Sequence, residues 1–277
     1  MLALCSGLVL GCDSEDKHIV ELVNDAVEML ESGNSVQARG KLKAVLELNA
    51  EDPDANYYLG FLALRDGEPN EALPYLRKAV QRDPARPEGH LDLARALFET
   101  GEDQAALTAL GPLFAIDPGH PSAHYLAARV AKKQGKREAV DKALRASIAG
   151  DPGYAASYLM LSQLYAEVGA YKAALDVLNE GLKFAPDDIA LQEALGLGWL
   201  DVGRPDRARE VFAIAVQNAR ADWTTYLNHA AALLQVGDKD GAAKELQRAL
   251  LVGRGRADKK ALDGAARMLM KLKRNAE

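Results

Sequence analysis

Glycine recurs at a fixed step of 34 residues along this chain, at Gly33, Gly67, Gly101, Gly135, Gly169, Gly203 and Gly237. Seven glycines in one register remove most fold classes at once, because a period of this length marks an array that reuses one supersecondary unit and buries each copy on its neighbours. Glycine is also the residue that lets a helix stop and reverse through a left-handed conformation, which a Cβ would strain. The ladder therefore predicts seven helix-turn-helix units, at 19–52, 53–86, 87–120, 121–154, 155–188, 189–222 and 223–256, with one reversal in each.

Other columns keep the same step. Eight residues into each unit stands a small side chain: Ala26, Gly60, Ala94, Ala128, Ser162, Gly196 and Ala230. Twenty residues in come Ala38, Ala72, Ala106, Val140, Ala174, Ala208 and Ala242, and one turn later Leu42, Leu76, Leu110, Leu144, Leu178, Phe212 and Leu246. Small against small sets a close helix–helix distance, and the large residue fills the space beside it. Pro69 and Pro205 fall just after the glycine, where a first helical turn tolerates a missing N–H. Pro84, Pro118, Pro152 and Pro186 close the second helix. Within unit three, Gly111-Pro112 is expected to interrupt that helix.

These small-residue, Leu/Phe and Pro columns at a 34-residue step resemble the tetratricopeptide repeat, from residue 19 to residue 256. The resemblance implies an all-α fold, a right-handed superhelical solenoid of seven repeats. It weakens at the ends, where Asp25 and His229 occupy a normally apolar column and Ala50, Arg220 and Arg254 replace the closing proline. Residues 257–277 carry Leu262, Ala265, Ala266, Leu269 and Leu272 on one helical face and Lys260, Arg267, Lys271 and Arg274 on the other. That segment is expected to be a capping helix over the last repeat.

Both cysteines, Cys5 and Cys12, lie in the first twelve residues, so no disulfide framework or cysteine metal site is expected in the body. Residues 2–10 are apolar or small, and Gly11-Cys12 gives way to the polar run Asp13-Ser14-Glu15-Asp16-Lys17. Val9-Leu10-Gly11-Cys12 resembles a bacterial lipobox. The expectation is a lipoprotein signal peptide over 1–11, a lipid anchor on Cys12, a tether over 12–18 and a periplasm-facing place in the cell envelope, with inner and outer membrane both open. No basic residue precedes the apolar run, a departure from such signals that fits a start further upstream. The other reading is a cytoplasmic protein with an apolar N-terminus.

A net charge of −6 argues against nucleic acid, since phosphate contacts need clustered Lys and Arg. Residues 13–56 hold eleven acidic and four basic side chains and residues 254–277 eight basic and three acidic; with Cys12 lipidated, the acidic end would be pushed from an anionic membrane surface. No Ser/His/Asp or Cys/His arrangement, phosphate loop or HExxH sequence is present, so no enzyme, cofactor or small-molecule substrate is expected. His90 and His124 share a repeat column with His120 nearby, and interface packing is expected of them rather than a metal.

In tetratricopeptide arrays the first helices line a concave groove. By register this assigns Tyr57, Phe61, Leu91, Arg95, Phe98, Tyr125, Arg129, Lys132 and Gln163 to a peptide-binding groove. Arg95, Arg129 and Lys132 are expected to converge as a basic centre suited to a peptide offering apolar side chains and carboxylates. The columns that form the chaperone-type carboxylate clamp hold Val27, Tyr57 and Leu91 here, which argues against chaperone C-termini as partners. The sequence thus points to a non-catalytic adaptor for a protein partner, in pilus, outer-membrane or polysaccharide export assembly. A structural subunit packing through its convex face and a cytosolic regulatory module are the alternatives.

Overall fold

The computed structural model describes the backbone of residues 6–218, 220–255 and 259–274, and the side chains of 16–218, 220–255 and 260–272. Cys5 lies outside the described residues, and of the Cys12 side chain nothing is described. Two compact units divide the chain, Met1–Gln134 and Gly135–Glu277. Among the described residues every regular element is a helix.

The first unit contains α1 (Ser6–Glu31), α2 (Ser35–Leu48), α3 (Pro53–Arg65), α4 (Pro69–Arg82), α5 (Pro87–Glu99), α6 (Asp103–Ile116) and α7 (Pro121–Lys133). The second contains α8 (Arg137–Gly150), α9 (Ala155–Glu167), α10 (Tyr171–Phe184), α11 (Ile189–Asp201), α12 (Pro205–Ala215), α13 (Trp223–Gln235), α14 (Lys239–Val252) and α15 (Lys259–Arg274). Residues 12–18 belong to α1.

Each of the seven ladder glycines has a φ between 71° and 89°. The amide of Gly67 bonds the Leu64 carbonyl at 3.1 Å while that of Glu68 bonds the Ala63 carbonyl at 2.9 Å. This paired closure is the Schellman motif. It recurs at Gly33, Gly101, Gly169, Gly203 and Gly237. Asn34, Asp52, Asp188 and Asp238 each cap the following helix by accepting a backbone N–H.

All three packing columns are buried in every unit. At Gly60 and Gly196 the approach is closest: an added Cβ would lie 2.6 Å from Cγ of Leu76 and 2.5 Å from Cζ of Phe212. The hairpins α1/α2, α3/α4 and α5/α6 in the first unit, and α9/α10, α11/α12 and α13/α14 in the second, pack internally and then on the next hairpin. At the C-terminal end Ala265 and Leu269 of α15 are buried with Ala230, Leu233, Ala242 and Leu246. Lys260, Arg267 and Lys271 remain exposed.

One expectation fails. The Gly111-Pro112 pair does not interrupt the second helix of unit three, because α6 runs unbroken from Asp103 to Ile116 with Pro112 inside it. Pro74 lies inside α4 in the same way. Both prolines, and the residues four before them, are on the exposed side, so each carbonyl that loses an N–H faces water rather than core.

Candidate protein-binding surface

The first helices of successive hairpins touch directly, α3 with α5 and α5 with α7 in one unit, α9 with α11 and α11 with α13 in the other. Each unit thereby presents a continuous surface made of first helices.

In the first unit this surface is aromatic. Tyr57 and Phe61, one turn apart on α3, lie with ring centroids 6.4 Å apart, and Tyr57 meets Tyr58 edge-on at 5.0 Å. The Arg86 guanidinium sits 4.9 Å from the Tyr57 ring centre. Asp92 on α5 is buried and accepts from Arg95 at 3.1 Å, with the Tyr57 hydroxyl as a second donor. Burial pushes the Asp92 carboxyl above its usual range, against the pull of Arg95 and Tyr57. Burial, and then the Asp92 charge, raise the Tyr57 hydroxyl well above its ordinary value. Tyr57 and Asp92 thus tie α3 to α5, with Arg95 pairing Asp92 within α5.

Phe98 carries two cations: Arg129 lies 4.5 Å from its ring centre and Lys133 5.5 Å. Lys133 also donates to Asp103 at 2.8 Å, whereas Arg129 makes no ion pair among the described residues. Leu91 and Phe98 pack partly on the core of Ala94, Leu110, Leu113 and Leu126. Tyr125 and Lys132 are half-buried on α7, and Gln163 is exposed on α9, in the other unit. The expected basic centre is therefore weaker than three converging cations. Arg95 is committed to a buried carboxylate, and Arg129 lies over an aromatic face with no ion pair among the described residues.

In the second unit the register's groove position Gln163 borders a cleft. The cleft, of about 290 Å³, opens between α9, α10 and α11, walled by Leu159, Ala166, Tyr171, Leu175, Leu197 and Gly198, with Gln163 and Asp201 at its polar edge. Leu197 is 43% exposed and Tyr171 46%. Gly198 leaves room for Leu175, whose Cδ2 an added Cβ would meet at 2.9 Å. The register position Gln163 and a glycine inside α11 were the traces of the cleft in the sequence.

The histidine column is structural. Nε2 of His90 lies 2.9 Å from the Pro84 carbonyl and Nε2 of His124 lies 2.8 Å from the Pro118 carbonyl, so each ring donates to the residue that closes the preceding repeat. Among the described residues no three His, Cys, Asp or Glu side chains gather as metal ligands.

A chain of helical hairpins with a left-handed glycine at each reversal and first helices exposed as a surface is a helix-turn-helix repeat protein. It belongs to the tetratricopeptide repeat family, whose models match residues 26–87, 63–130 and 131–197. No curated protein sequence matches it. Among solved structures it resembles a tetratricopeptide repeat protein from Parabacteroides merdae, with a TM-score of 0.63 and 19% identity over 92% of this chain and 99% of that one. PilF of Pseudomonas aeruginosa aligns with a TM-score of 0.55 and 15% identity, over 91% and 99%. YrrB, described as a tetratricopeptide repeat protein with an unusual peptide-binding site, aligns with a TM-score of 0.50 and 16% identity over 69% and 97%. At these identities the likeness is one of fold.

Proposed function

We propose that this protein is a non-catalytic adaptor of the bacterial cell envelope, held by a lipid on Cys12, that docks a partner protein on the first-helix surface of its N-terminal unit. Tetratricopeptide repeats are protein-interaction scaffolds as a class, and YrrB carries a peptide-binding site on this fold. The observation that carries the docking reading is Arg129, without a carboxylate partner among the described residues and lying over half-buried Phe98, with Leu91, Tyr57 and Phe61 on neighbouring first helices. An extended segment with apolar side chains and a carboxylate meets complementary groups there, the guanidinium offering two parallel N–H donors. The envelope reading rests on Val9-Leu10-Gly11-Cys12. Among the described residues no helix is long and apolar enough to cross a membrane. Assembly of pili, the outer membrane or exported polysaccharide is the setting we propose for such an anchored adaptor.

The test is photo-crosslinking in cells from a reactive amino acid at Leu91, with and without Arg129→Glu, alongside fatty-acid labelling with a Cys12→Ser control. We expect one dominant adduct, lost on charge reversal, and label that depends on Cys12. An adduct indifferent to Arg129 would refute the docking site, and absence of label would refute the anchor. A second reading, assembly through the opposite face, is favoured by a cleft of about 350 Å³ between the end of α2 and α4, lined by Leu46, Pro74 and Tyr75. Adducts from Tyr75 rather than Leu91 would support it.

A further inference from the structure

The cleft of the second unit differs in chemistry from the aromatic surface of the first. Its walls, from Leu159, Leu175 and Leu197, are aliphatic, and at about 290 Å³ it lies at the small end of ligand sites. Open on one side, it suits a protruding side chain better than an enclosed metabolite.

On its first-helix side the charge has one sign, whereas α10 carries Lys172 and Lys183 as well as Asp176 and Glu180. The three first helices of this unit, α9, α11 and α13, carry Glu167, Glu193 and Asp201 and not one lysine or arginine. Glu193 already accepts from the Thr225 hydroxyl at 2.5 Å. Asp201, on the edge of the cleft, has no side-chain partner among the described residues. It is also the last residue of α11, where the carbonyl ends of the helix are themselves negative. A carboxylate there is locally unfavourable in the free protein. A cation brought by a ligand relieves both the carboxylate and the helix end.

We propose that the α9–α11 cleft is a second docking site, taking a peptide segment of a partner protein in which a large apolar side chain stands beside a lysine or arginine; the apolar group fills the cleft and the cation meets Asp201. This rests on the scaffold reading above but not on the Phe98–Arg129 surface, whose charge preference is the reverse. The occupant is a basic–apolar segment, and an acidic segment is the excluded alternative.

The experiment selects a displayed library of random dodecapeptides on the full chain and then counter-selects on Leu197→Arg, an exposed position where the substitution places a cation at the mouth of the cleft and leaves the buried columns intact. Peptides kept by the native chain and rejected by the variant should carry Leu, Met or Phe next to Lys or Arg. Measured singly by fluorescence anisotropy, they should bind Asp201→Asn roughly fivefold more weakly, as for one exposed ion pair, and Arg129→Glu unchanged. Thermal melts matching the native chain establish that all three variants are folded. The proposal fails if counter-selection leaves no peptide class, if the class is acidic, or if Asp201→Asn binds as tightly as the native chain. Peptides retained by Leu197→Arg and lost on Arg129→Glu would report the other surface, so the two readings fail separately.

Discussion

Four residues into a unit, the side chain reaches back to the carbonyl that closes the unit before it. His90 and His124 do so through Nε2, Gln192 donates to the Pro186 carbonyl at 2.7 Å, and Asn56 donates to the Ala50 carbonyl at 3.2 Å. Three residue types perform one task, so the column is invisible to a search for identity, and two histidines in it raise the question of a metal. What they share is an N–H at the right reach. Tyr158 holds the column in the fifth unit, but its hydroxyl is buried without a partner. Replacing His90 with Leu should therefore cost about 1 kcal/mol, the net worth of one such bond, while His90→Gln keeps most of it and Tyr158→Phe costs little. Urea denaturation of the three variants checks the order. Equal losses from His90→Leu and His90→Gln would show that ring packing, not the bond, is what the position supplies.

In the sixth unit the size of the eighth residue is matched to that of the twenty-fourth. Where the large residue is Phe212 the small one is Gly196, and an added Cβ would meet the ring 2.5 Å away. A phenyl ring cannot fold aside as a leucine branch can. Gly196→Ala should thus destabilise by about 1–3 kcal/mol through overpacking. Phe212→Leu, which restores the residue found in the other six units, should recover most of that in the double variant. A thermodynamic cycle on the four proteins measures the coupling, expected at about 0.5 kcal/mol or more; additive losses would mean that the two side chains do not compete for one space. This matching explains why the hairpins were legible in the sequence. Glycine, the small residue and the filler each answer a local demand that repeats unchanged, so the period exposes them. The helix through Pro112 was not legible, because whether a proline breaks a helix depends on which side of it faces water, and spacing alone does not record that.

Within each unit, packing runs from one hairpin to the next among the described residues. Function follows the same serial logic. A column that needs a fixed residue type shows itself by repetition, whereas the cleft beside Asp201 arises where Gly198 lets Leu175 approach, in one unit only. The repeat places Gln163 on that surface, but nothing in it reveals the hollow. Arg95 is a similar case: register places it on the binding surface, and only the buried Asp92 beside it shows that its charge is already used. Serial packing also fixes how damage at one end should spread. Ending the chain after Gly255 removes α15 and uncovers Ala230, Leu233, Ala242 and Leu246. Each repeat draws its stability from its own hairpin and its nearest interface, so the loss should be graded. Amide hydrogen exchange is expected to accelerate most in α13 and α14 and to stay near native rates in α3 to α6, because opening energies are set locally. Uniform acceleration along the chain would mean instead that the hairpins fold as one cooperative body, and that a partner docked at one end could be felt at the other.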